Sequence, residues 1–171
     1  MLFRSLPQVK LEQGNVNEVI ADLLLFLREE AAERKVEVVE KLDPSLPPAP
    51  IDAMQLRQAF LNIIKNSFEA MPGGGKLTLS SAWVDGTVEV SIADTGRGIA
   101  EEYLELVYTP FFSTKQGGTG LGLSITSHIV QEHRGTIHLK SYRELGTVFT
   151  IRLPAGTSVG NSLEEIRNGG A

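Results

Sequence analysis

The stretch Thr87-Val88-Glu89-Val90-Ser91-Ile92-Ala93-Asp94 alternates with the period of a β-strand and ends on an acid that falls on its apolar side. Val88, Val90, Ile92 and Asp94 share one face, and Glu89, Ser91 and Ala93 share the other. A carboxylate turned toward a core costs about several kcal/mol unless something polar meets it. Two glycines follow at once in Asp94-Thr95-Gly96-Arg97-Gly98-Ile99, and they let another group approach the backbone closely. An isolated acid at a strand end is more simply explained by a turn. The rest of the chain must therefore decide what this acid does.

At 171 residues and 42% hydrophobic content, the chain has enough apolar material for one core and little for a second. The net charge is -5 and the cations are scattered, which argues against nucleic acid as a direct partner. There are no cysteines, so disulfides and thiolate metal sites are excluded, and a reducing compartment fits. The longest purely apolar run, Leu23 to Leu27, is too short to cross a bilayer, and no signal-peptide pattern opens the chain. A soluble, cytoplasmic domain without membrane contact of its own is the expectation.

Residues 8–13 alternate weakly and predict a short edge strand. Asn15, with Glu18 three residues on, caps a helix whose apolar stripe runs to about Lys35, and Val36–Leu42 alternates as a strand. The run from Asp43 to Pro50 holds four prolines and reads as a stiff surface connection. Asp52 with Gln55 starts a second helix that ends at Met71, before Pro72-Gly73-Gly74-Gly75. Lys76–Val84 and Thr87–Asp94 form a hairpin about Asp85-Gly86. A short helical piece is predicted over 101–106, and the aperiodic stretch 107–118 reads as a mobile loop. A third helix follows the glycine run and ends at Gly135, and strands Thr136–Ser141 and Thr147–Leu153 close the pattern. Residues 1–7 read as the stub of a preceding dimerisation helix or linker, 8–154 as the domain, and 155–171 as a flexible tail with one short helical candidate at 162–167.

On the second helix, Leu56, Phe60, Ile63, Ile64, Ser67 and Met71 fall on one side, with Gln58, Asn62, Lys65, Asn66 and Glu69 opposite. Two asparagines one turn apart are poor mid-helix residues, so a ligand and a solvated face both remain open as explanations. Gly117-Gly118-Thr119-Gly120-Leu121-Gly122 opens the third helix, where free N–H groups and the helix dipole favour phosphate oxygens. The run lacks the P-loop pattern, and no strand precedes it as a Rossmann turn requires.

Together, Asn62-Ile63-Ile64-Lys65-Asn66, Asp94-Thr95-Gly96-Arg97-Gly98, Pro110-Phe111-Phe112-Ser113-Thr114-Lys115 and Gly118-Thr119-Gly120-Leu121-Gly122 resemble the N, G1, F and G2 boxes of sensor histidine kinases, in the same order. The resemblance runs from Val9 to Pro154, including Gly146-Thr147-Val148-Phe149-Thr150-Ile151, and is nearest the NtrB-like branch. It implies the α+β Bergerat (GHKL) fold shared with gyrase B, MutL and the heat-shock chaperone ATPases. In that two-layer sandwich a mixed, mostly antiparallel sheet is covered on one face by three helices, and a flexible lid closes over ATP or ADP with Mg²⁺.

The roles that follow are implied by the resemblance. Asp94 would accept a hydrogen bond from the adenine amino group and repel the carbonyl of guanine, with Thr147 supporting the contact through its hydroxyl and a water. Gly96 and Gly98 would let base and ribose lie against the backbone, and Asn66 would give its amide oxygen to Mg²⁺. Gly118, Thr119, Gly120, Leu121 and Gly122 would wrap the phosphates, while Lys115 neutralises the terminal one. Tyr108 and Phe111 either stack on the base or anchor the lid. Hydrolysing relatives carry a glutamate where this chain has Asn62, so water should be a poor nucleophile here; Asn62 and Lys115 are the catalytic candidates. Many histidine kinases have Lys or Arg three residues after the metal asparagine, whereas this chain has Glu69, which leaves Lys65 or Lys115 to substitute.

His128, His133 and His138 lack the acidic and basic neighbours of a phosphoacceptor and read as surface or packing residues. The implied partners are therefore a phosphoacceptor dimerisation domain of a parent kinase, itself free to be membrane-anchored, and a response regulator downstream. Two rival classes share the boxes: a stand-alone serine kinase of the anti-sigma-factor type and a non-catalytic module gated by ATP.

Overall fold

A computed structural model describes residues 7–155. Its elements run β1 (Glu12–Gly14), α1 (Val16–Glu33), β2 (Val36–Lys41), β3 (Ala49–Ile51), α2 (Ala53–Ala70), β4 (Gly75–Val84), β5 (Thr87–Asp94), a 3₁₀ turn at Glu101–Tyr103, α3 (Gly122–Glu132), β6 (Thr136–Tyr142) and β7 (Gly146–Pro154). Five strands form one sheet in the order β2-β4-β5-β7-β6, in which β2 runs parallel to β4 and the other pairs are antiparallel. The two-layer α+β architecture expected from the sequence is the one observed. No helix among the described residues is long and apolar enough to cross a membrane.

The helices cover one sheet face. Ile20, Leu23, Leu56, Phe60, Ile63 and Ile64 from α1 and α2 meet Leu77, Leu79, Val88, Val90, Ile92, Ile151 and Leu153 from the sheet in one buried cluster. Along β5 the residues alternate between half-buried and buried, with Asp94 on the buried side. This is the pattern of an antiparallel strand with a single covered face. The hairpin turn has Asp85 and Gly86 both at positive φ, 47° and 78°, as its two-residue length requires.

Side-chain caps fix the starts of both long helices. The Asn15 side chain accepts from the Asn17 N–H at 2.9 Å, and Asp52 Oδ1 accepts from Gln55 N–H at 3.1 Å. Asp52 also takes the Lys10 N–H on its other oxygen, at 3.1 Å, so the incoming chain is tied to the start of α2.

The structure departs from expectation in the proline-rich segment. Ala49–Ile51 pairs antiparallel with β1, Pro50 lying opposite Gln13, so its end is a strand rather than a loop. Ala49 and Ile51 are buried there, and in a two-stranded ribbon proline can occupy a position from which no N–H is needed. The first strand is correspondingly displaced to Glu12–Gly14, and the third helix starts at Gly122 rather than 119. The expectations for residues 1–6 and for the tail beyond Ala155, including the helix at 162–167, lie outside the described residues.

His133 is a buried staple between α3 and α2. Its Nε2 accepts the Asp52 N–H at 2.9 Å, which places the ring proton on Nδ1, 2.8 Å from the Ile129 carbonyl it donates to. His128 and His138 are exposed. His133→Leu should orphan the Asp52 N–H and lower unfolding stability by about 1–3 kcal/mol in urea titrations, while His133→Gln, which can restore an acceptor, should lose less.

Candidate functional site

A cavity of about 620 Å³ opens between the helical layer and the segment that precedes α3. All four sequence boxes contribute to its wall, a size and setting suited to a nucleotide-scale ligand. Its deepest acid is Asp94, only 7% exposed, in register with Leu77 on one side and Thr147 on the other. Burial raises its pKa, and three donors oppose that rise: the Gly96 N–H, 2.9 Å from Oδ1, the Ser67 hydroxyl from α2 and the Thr147 N–H. Ser67 falls on the apolar stripe in sequence, and its contact with this carboxylate is what the stripe alone could not disclose.

The loop after Asp94 is held from two sides. Arg97 N–H donates to the Ala70 carbonyl at 3.1 Å, and Arg97's own carbonyl accepts from Glu144 N–H at 2.7 Å. Gly98 has φ +68° and stands so close to the Tyr142 carbonyl that a Cβ would lie 2.1 Å from it. Ser141 completes the clamp, accepting the Ile99 N–H at 2.8 Å and lying 2.8 Å from the Thr147 hydroxyl. Thr147 thus lines the cavity with its hydroxyl engaged by Ser141.

On α2, Asn62 commits its amino group to the Gly122 carbonyl at 3.0 Å and the Thr126 hydroxyl at 3.3 Å. That leaves the Asn62 amide oxygen as its group for a ligand. Asn66 Oδ1 accepts from Lys115 Nζ at 3.0 Å, and Lys115 also pairs with Glu69. Lys65 is taken by Glu30, whose pKa is lowered first by that bond and then by Arg34. Of the two lysines offered as substitutes at the phosphate end, Lys115 is the one placed over Asn66.

The α3 N-terminus closes the opposite wall. Leu121, at its cap, makes no side-chain bond to the first turn, so those backbone donors and the dipole are open to an anion. Gly120, at φ +67°, is indispensable to this turn: its would-be Cβ lies 2.4 Å from the Phe111 carbonyl carbon, and Phe111 N–H donates to its carbonyl at 2.9 Å.

Asn62, Asn66, Asp94, Gly98, Lys115, Gly118, Thr119, Gly120, Gly122 and Thr147 all line the cavity. Gly96, Leu121 and Tyr108 do not. Gly96 sits behind Asp94, where a Cβ would meet Ala70 at 2.7 Å, and Leu121 supplies backbone only. Tyr108 packs against the core instead, its buried hydroxyl unpartnered and its pKa pushed up to about 12 by burial. Phe111 is 70% exposed, which leaves neither of the two aromatics proposed for stacking inside the wall. The aromatics that do face the cavity are Phe149 from β7 and the pair Tyr103 and Phe112, whose ring centroids are 5.7 Å apart. Their neighbours in the sequence have no period, so nothing there distinguished Phe112 from Phe111.

The residues fit a magnesium-bound nucleotide. A cation, the Lys115 ammonium, already stands at the Asn66 amide oxygen. No group of three or more His, Cys, Asp or Glu able to hold a metal exists among the described residues, so a divalent ion here would need oxygens from a phosphate ligand.

The family model described as "Histidine kinase-, DNA gyrase B-, and HSP90-like ATPase" matches residues 51–157. Sensor histidine kinase ZraS of Klebsiella oxytoca is 37% identical over 85% of this chain and 32% of its own length. Sporulation kinase E of Bacillus subtilis (strain 168) is 37% identical over 95% of this chain and 22% of its own. The chain thus spans about a third or less of these curated relatives. Among solved structures, the nucleotide-free catalytic domain of histidine kinase ThkA superposes with TM-score 0.76 at 32% identity, covering 85% of this chain and 95% of that one. ThkA in complex with response regulator protein TrrA gives 0.75 at 28% identity, over 86% and 42%. Full-length ShkA in complex with AMPPNP gives 0.81 at 25% identity, over 90% and 33%.

Because burial raises the Asp94 pKa, the folded state holds its proton to higher pH than the unfolded chain does. Stability of the ligand-free protein should therefore fall as pH rises from the ordinary aspartate range through that raised value, then level off. Asp94→Asn should abolish this slope, and chemical unfolding as a function of pH is the measurement.

Proposed function

The chain belongs to the histidine kinase-, DNA gyrase B- and HSP90-like ATPase family, and from that membership we propose that it is the ATP-binding catalytic domain of a two-component sensor histidine kinase. In this reading it presents the γ-phosphate of Mg-ATP to a histidine on a dimerisation domain of the parent protein. A response regulator then receives the phosphoryl group, as the ThkA–TrrA complex of a structural neighbour makes reasonable. A cytoplasmic location goes with that reading.

The observation that carries it is one buried acid at the cavity floor facing an open helix N-terminus across the same space. Asp94 offers a carboxylate oxygen to an exocyclic amino group, so it selects adenine and opposes guanine, which presents a carbonyl. The α3 N–H groups and those of Gly118 and Gly120 take the phosphates. Asn66 would supply its amide oxygen to Mg²⁺, whose charge would offset that of the phosphates. Lys115 neutralises the terminal phosphate as the lid closes.

In the transfer itself, a nitrogen of the incoming imidazole bonds to the γ-phosphorus while the bond to the β,γ-bridging oxygen breaks. ADP leaves with that electron pair and the imidazole proton passes to solvent. Positioning and charge stabilisation suffice for such a step. Asn62 has no basic group and its amide nitrogen is bound to Gly122, so it cannot itself activate water in place of the histidine.

Calorimetry should find ADP bound in preference to GDP. Asp94→Asn should cost about 10- to 100-fold in ADP affinity, the worth of a hydrogen bond to a charged group, and remove the preference. A second expectation concerns the acceptor. With radiolabelled ATP and a separately supplied phosphoacceptor domain, label should appear on histidine; label on a partner serine would favour the serine-kinase class, and no label an ATP-gated module.

A further inference from the structure

Lys115 and the proposed magnesium compete for one atom. Lys115 Nζ lies 3.0 Å from Asn66 Oδ1 and is paired at the same time with the Glu69 carboxylate, one turn further along α2. A magnesium ion binds oxygen at about 2.0–2.1 Å, so ammonium and metal on this one oxygen would be two cations a few ångströms apart. They exclude each other. The other lysine of the cavity wall cannot relieve the conflict, because Lys65 is held by Glu30, which Arg34 also engages at 3.0 Å.

The acidic identity of Glu69 then has a use. Here an acid replaces the phosphate-gripping cation found at this position in many resembling kinases, and it faces a lid cation. We propose that Glu69 is a positioning residue that parks Lys115 on Asn66, so that Lys115 is a built-in stand-in for Mg²⁺ that the arriving metal–nucleotide must displace. Displacement hands the lysine to the terminal phosphate and couples metal binding to movement of the lid. This inference rests on the reading of Asn66 as the magnesium ligand given under Proposed function.

A simple field effect is the rival, since removing any acid near a polyphosphate strengthens binding. A double-mutant cycle separates the two. ADP, which lacks the terminal phosphate that would draw Lys115 away, is titrated calorimetrically in EDTA and in excess Mg²⁺ against wild type, Glu69→Gln, Lys115→Met and the double variant. The readout is the factor by which Mg²⁺ improves ADP affinity. With Lys115 present, Glu69→Gln should raise that factor about two- to five-fold, the range of a partly exposed ion pair. In the Lys115→Met background it should leave the factor unchanged. An equal rise in both backgrounds, or none in either, overturns the proposal while leaving the nucleotide site intact. Wild type that binds ADP without any gain from Mg²⁺, or does not bind it, overturns the reading of Asn66 and the proposal with it. Hydrogen exchange of the nucleotide-free protein gives an independent check: amides of residues 107–120 should exchange faster in Glu69→Gln than in wild type and no faster in the double variant than in Lys115→Met. Equal protection in wild type and Glu69→Gln speaks against the parked lysine.

Discussion

The energetic centre of this structure is a carboxylate kept out of water. Asp94 ends a strand whose every other residue is in the core, so the pleat delivers the acid to the interior whether or not it is paired. Three elements converge to compensate it: the loop through Gly96, α2 through Ser67, and β7 through Thr147. Each of these elements also bounds the cavity. The demand for donors around one acid therefore assembles the walls of the site, and it leaves the acid with capacity to accept one more bond. That remaining capacity is the one the proposed adenine contact would use.

Much of this arrangement was legible in the sequence because it rests on short-range patterns. The strand period of Thr87–Asp94, the Asp85-Gly86 turn and the capping residues Asn15 and Asp52 each specify local geometry, and each reappears in the structure. The boxes likewise meet around one space, since strand ends and helix starts have directions that spacing already implies. What stayed hidden depends on contacts distant in sequence. Ser67 reads as an ordinary member of an apolar stripe until β5 is laid against α2. His133 reads as either a surface or a packing residue, and only the fold shows its partner to be the Asp52 N–H.

The lid was the least readable part. Residues 107–118 have no period, so nothing there set Phe111 apart from Phe112. In the structure Phe111 takes a positive φ of 66° and is 70% exposed, while Phe112 lines the cavity. The proline-rich connection failed for the opposite reason. Its composition spoke strongly against a strand, but a ribbon of two short strands asks little of proline, and burial of Ala49 and Ile51 outweighed the composition.

The β1–β3 ribbon has a mechanical corollary. Its strands flank α1 and deliver the chain to residue 52, while Lys10 and the Pro7 carbonyl are bonded to Asp52 and Gln55 at the head of α2. Force applied at Pro7 or Lys10 would therefore reach the head of the helix that carries Asn62 and Asn66. Twist or tension arriving there would act on the helix that bears both amides of the cavity wall, making α2 a lever as well as a wall.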